Sequence, residues 1–155
     1  MKKDFTRDYV TEAFRIYALM GKPTYDKAKE IISQSAADIH GRDPAVVICR
    51  AEKEIADQTP LLLDILAVQK TLEILDRAGK RYISGAVAAV YFEQPDKPIS
   101  RGEISRRVTS YSLSCPADES STYRWLKHAR LLCAAIRGLR ITPAEVKTIK
   151  YLFPK

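Results

Sequence analysis

Residues 119–130 read "ESSTYRWLKHAR". At about 100° per residue, an α-helix sorts this stretch into two sides. Thr122, Leu126, Ala129 and, further on, Cys133 share one side; Tyr123 flanks it on one edge, and Trp125, Leu132 and Ile136 fill the other. So wide an apolar stripe has to be buried against other helices. Ser120, Ser121, Arg124, Lys127 and His128 fall opposite, with no acid among them. Glu119 stands at the start, where a carboxylate favours the positive end of the helix dipole. The period predicts a helix from about 117 to 136 with its aromatic side inward and its cationic side outward.

Working outward, the neighbouring segments are helical too. Gly21-Lys22-Pro23 ends a first helix begun near Thr6, whose aromatic side is Phe5, Tyr9, Phe14, Ile16 and Tyr17. Thr24 caps a second, and Gly41 closes it. Asp43-Pro44 then reads as an N-cap followed by proline at the first helical position, and Thr59-Pro60 repeats the device. The helix after Pro60 is the most apolar of the chain. Leu61, Ile65, Val68, Leu72 and Leu75 follow at intervals of four and three. That spacing suits a core helix or, as the alternative, a dimer seam. Residues 81–93 form another helix, with Tyr82, Ile83, Ala86, Val87, Val90 and Tyr91 inward, and "EQPDKP" breaks it.

Two starts are spelled out fully. In "ISRGEI", Ser100 caps, Glu103 sits three residues on to return the bond, and Ile99 meets Ile104 as a hydrophobic staple. In "ITPAEV", Thr142, Glu145, Ile141 and Val146 take the same places. No alternating run or hairpin signal suggests a strand. The expected fold is all-α, a multi-helix domain with two regions: 1–78, a helical core or interaction region, and 79–155, a basic region.

The charge supports that division. Residues 1–78 hold 12 Lys/Arg against 13 Asp/Glu, which gives −1; residues 79–155 hold 14 against 6, which gives +8. A one-sided basic excess attracts polyanions. No stretch approaches the roughly 18 apolar residues of a membrane span. "MKKDFTRDYV" has no apolar run after its charges, so no signal peptide is read there and a cytoplasmic protein without membrane partners is expected. Cys49, Cys115 and Cys133 have neither metal spacing nor pairing spacing and read as small buried hydrophobes. With two histidines and no phosphate loop or paired carboxylates, no catalytic residue, metal site or cofactor is expected.

A helix with an outer face of Ser, Arg, Lys and His suits a DNA major groove: Arg bonds two guanine acceptors, Ser bonds base edges or phosphates, Lys neutralises phosphate. A solvated basic face is the alternative. Upstream lies the capped helix "SRGEISRRV", with Arg101, Arg106 and Arg107 placed toward solvent and Ile104 and Val108 inward. Together, "EISRRV" and "SSTYRWLKHAR" resemble the helix-turn-helix of sigma-factor region four. With "AAVYFEQPDKPIS" before them they are similar to phage and prophage regulators of the ArpU/RinA type, over residues 62–138. The resemblance implies a sequence-specific DNA-binding protein acting in transcription. Ser120, Ser121, Arg124, Lys127 and His128 would contact bases and nearby phosphates; Arg101, Arg106 and Arg107 would hold the backbone; Lys97 and Arg137 are secondary. DNA is the expected partner, with RNA polymerase and a second copy of the chain as further ones. The alternative class is a helical protein-interaction module. One departure stands out: ten residues, "TSYSLSCPAD", separate Val108 from Glu119 where three or four are usual. Either the first helix continues through about Tyr111, or the second begins near Pro116 with Ser114 as cap.

Overall fold

The computed structural model describes residues 4–40 and 44–154. In chain order its helices are α1 (Phe5–Leu19), α2 (Tyr25–His40), α3 (Pro44–Asp57), α4 (Thr59–Arg77), α5 (Arg81–Val87), α6 (Arg101–Ser114), α7 (Glu119–Arg137) and α8 (Pro143–Leu152), and one π-helical turn, Ala88–Phe92, prolongs α5. No strand occurs among the described residues, so the fold is all-α. No described helix is long and apolar enough to cross a membrane. The expected stop at Gly41 and cap at Asp43 lie outside the described residues.

α4 lies at the centre and packs on α1, α2, α5 and α7. Its leucine-rich stripe is consumed within the chain: Leu62, Ile65, Val68 and Leu75 are each 2% exposed or less. Burying such a side chain contributes about 1.5–3 kcal/mol, so these four residues serve the core, while Leu61 and Leu72 of the stripe are half-buried. The core also takes Val10 and Phe14 from α1, Ile83, Ala86 and Val87 from α5, Val108 from α6, and Leu126, Ala129 and Cys133 from α7. It therefore runs across the 78/79 charge boundary. α2 and α3 pair mainly with each other.

Three local starts differ in detail from the sequence reading. α1 begins at Phe5 because the Asp4 carboxylate accepts the Arg7 backbone N–H at 2.9 Å. Phe5 and Tyr9 stay exposed, since only Val10, Ala13, Phe14, Arg15 and Tyr17 of α1 are buried. α4 begins one residue early: Thr59 is already helical and donates its hydroxyl to the Ile55 carbonyl instead of capping. At α6, Ser100 accepts the Glu103 N–H as expected, but Glu103 does not return the bond, because arginines hold its carboxylate. The reciprocal pair does form at α8 between Thr142 and Glu145.

The π turn shapes the middle of the molecule. Its wider turn puts Val90 and Tyr91 side by side in the core. Tyr91 stacks on Phe14 at 5.7 Å, and Phe92 meets Tyr17 at 5.6 Å, which fastens α1 to this segment. α5 and α6 approach closely at Gly85, where a Cβ would stand 2.7 Å from the Tyr111 hydroxyl oxygen. That hydroxyl donates to the Tyr82 carbonyl. Of the three cysteines, Cys133 is buried and Cys115 half-buried, but Cys49 is exposed, contrary to expectation. Burial pushes the Cys133 thiol up to about 12, so it is inert packing material.

Candidate nucleic-acid interface

The long connection resolves into helix. α6 continues to Ser114, α7 starts at Glu119, and only residues 115–118 lie between them. Pro116 and Ser114 therefore do not begin α7; Asp118 does. Its carboxylate accepts the Ser121 backbone N–H at 2.7 Å, and these bonds from Ser121 hold it below its ordinary range. Two hydroxyl contacts lock the pair: Thr109 donates to Glu119 at 2.9 Å, and Ser112 meets Thr122 at 3.0 Å. Gly138 ends α7 in the left-handed region at φ 84°, a conformation that costs glycine nothing.

α7 buries one side. Thr122, Leu126, Ala129, Leu132 and Cys133 are all at most 4% exposed. Trp125 is half-buried and meets the Tyr82 ring edge-on at 4.7 Å. Both tyrosines expected inward, Tyr82 and Tyr123, are 43% exposed. They lie on the edges of the stripe, where cover runs out.

On the opposite side Ser120, Arg124 and Lys127 are exposed, and Ser121 and His128 half-buried. Arg124 donates to the Ser121 hydroxyl at 3.0 Å, which steadies the guanidinium along the helix surface. Burial first, then Arg124, Lys80 and Lys127, lower the pKa of His128 below its ordinary value of 6.5. At neutral pH it is thus an uncharged ring that can both donate and accept.

The α6 arginines part company. Arg101 is exposed and lies with Tyr123 and Arg130 along one cleft beside α7. Arg106 is exposed but lies in a separate groove with Glu93, Gln94 and Ser110, paired to Glu103. Arg107 was expected to hold a DNA backbone, and the fold overturns that. It is 7% exposed, with Nη1 donating to the Val90 carbonyl at 2.7 Å and Nε to Glu103 at 3.0 Å. The two arginines together hold the Glu103 carboxyl down to about 2. Arg137 is also engaged, bonded to Asp64 at 2.7 Å in a cluster with Tyr9. Lys97 is exposed, and its carbonyl accepts from Arg15.

Three cations near this face escape a sequence reading. Arg7 of α1, Arg130 of α7 and Arg140 before α8 border a groove with Lys127. Arg130 sits inside the quoted stretch, but its Nη1 donates to the Tyr91 hydroxyl at 2.7 Å. No local signal places Arg7, more than a hundred residues away, beside Lys127. Comparison with protein-family models, curated proteins and solved structures finds no match to this chain.

Proposed function

We propose that the chain is a sequence-specific DNA-binding protein, a transcriptional regulator of the phage type, with α6 and α7 acting as a helix-turn-helix and α7 entering the major groove. One observation carries the reading: the cationic face of α7 stays open to solvent while its opposite face is buried. The four-residue connection, the free N–H groups of a capped helix start and the basic excess of residues 79–155 support it. Ser120, Ser121, Arg124, Lys127 and a neutral His128 read bases and adjacent phosphates, and Arg101 neutralises backbone. Arg107 has no part in contact with DNA, and Arg106 lies apart from the α7 face.

Selection of bound duplexes from a random pool at physiological salt tests this. The expected result is a recovered motif for which Arg124→Ala loses about 1–3 kcal/mol of affinity. A pool that yields no motif, or a gel-shift curve unchanged by Arg124→Ala, rejects it. A second reading, an interaction module for RNA polymerase, a packaging enzyme or a second copy, is favoured by Leu113 and Tyr151, each 85% exposed. Binding to duplex that stays flat with salt would select it, because phosphate neutralisation demands a steep fall.

A further inference from the structure

Beside α7 lies a cleft of which this reading uses only Arg101, at the rim. It is an open cleft of about 810 Å³ between α1, the segment before α6, the start of α6 and the middle of α7, a volume in the range of small-molecule sites. Among the described residues, Arg7, Arg15, Arg101 and Arg130 border it, against Asp8 and Glu12. Those acids lie 3.4 Å from Arg7 and 4.0 Å from Arg15, so the cleft keeps a cationic excess.

The innermost cation is Arg15, 7% exposed. Its Nη2 donates to the carbonyls of Pro95 and Lys97, which fixes the guanidinium. Its Nε is buried and has no hydrogen-bond partner among the described residues. A buried donor without an acceptor is costly, and an anion's oxygen is an acceptor. The positive end of the 14-residue α6 opens at the same place, with Arg101 and Ile104 at the rim. Tyr91 accepts from Arg130, which leaves its own proton to donate. The remaining wall is apolar and aromatic, made by Ile99, Ile104, Leu126 and Tyr123.

We propose that this cleft binds a small organic anion, a carboxylate or phosphate monoester carried on an apolar or aromatic body. The acidic group takes the arginine end, and the body lies along Ile104, Leu126 and Tyr123. A DNA phosphate is the rival source of the anion. A duplex backbone does not carry its phosphate down to a side chain as enclosed as Arg15, and a phosphodiester gains nothing from the apolar wall. Since the cleft is bounded by α6 and α7, occupancy alters DNA affinity; that consequence rests on the proposed function, whereas binding itself does not.

Calorimetric titration of the full chain with phenyl phosphate, at about 0.15 M salt, tests the proposal. The expected result is saturation at one site, at least about tenfold tighter than inorganic phosphate or phenol. Arg7→Gln and Tyr123→Ala, both at exposed positions, each weaken it at least about threefold with unchanged thermal melting. Arg130→Gln is a further variant, to be read only if its melting is also unchanged. Inorganic phosphate binding as tightly as phenyl phosphate overturns the proposal, and so does affinity unmoved by Arg7→Gln and Tyr123→Ala. If phenyl phosphate fails to saturate while Arg7→Gln weakens a random-sequence duplex, the cleft belongs to the DNA backbone and the small-anion assignment is overturned.

Discussion

Replacing Arg107 by Met separates a structural arginine from a DNA-contacting one. The change removes the guanidinium and keeps most of the apolar stem, so packing loss is small. What disappears is the 2.7 Å bond to the Val90 carbonyl, made in the core by a side chain 7% exposed. A hydrogen bond to a charged donor contributes about 1.5–3 kcal/mol. Glu103 keeps Arg106 as partner, so little is added from that side. A loss of about 2 kcal/mol should lower the melting temperature by about 4–8 °C in a chain of this size. The urea midpoint should fall at unchanged m-value. Arg106→Met, on the surface, should leave melting where it is. Measured well below both melting points, duplex affinity and its salt slope should be the same for Arg107→Met and wild type, because an inward guanidinium neutralises no phosphate. Melting unchanged in Arg107→Met, together with a salt slope reduced by about one, would refute the reasoning.

The close approach at Gly85 predicts a background-dependent effect. Gly85→Ala gains about 1 kcal/mol of helix propensity but pushes the Tyr111 hydroxyl off the Tyr82 carbonyl, a bond worth about 0.5–1.5 kcal/mol. Denaturant midpoints should show near-neutrality in the wild-type background and a gain in Tyr111→Phe; a gain of the same size in both would sink the argument. Thr142→Ala removes the cap of α8 and should cost about 1 kcal/mol, visible as faster amide exchange confined to residues 143–152. His128 titrates below 6.5 in the folded chain. The unfolded chain then binds the proton more readily, so no penalty exists above pH 6.5, and stability falls as pH drops from there through the folded pKa. An NMR titration placing His128 at or above 6.5 contradicts this; Arg124→Ala should move its pKa upward.

What the sequence determined by itself is whatever one or two helical turns decide. The caps at Ser100 and Thr142 are local hydrogen bonds between residues three apart, and they stand where the residue types put them. Periodicity correctly sorted Thr122, Leu126 and Ala129 from Arg124 and Lys127, because a helix needs no partner to define its faces. The charge division needs only counting. Periodicity is silent on which face another helix covers, and there the tertiary structure decided. Arg107 stands three residues after Ile104, at the edge of the inward arc. Whether a guanidinium there turns to water or into the core depends on an acceptor, and the Val90 carbonyl comes from a different element, seventeen residues upstream. The same holds for Arg137 with Asp64, and for the meeting of Arg7, Arg15 and Arg130 around one cleft. A charge enters the interior only where a partner waits, and that partner is supplied by packing between helices distant in sequence.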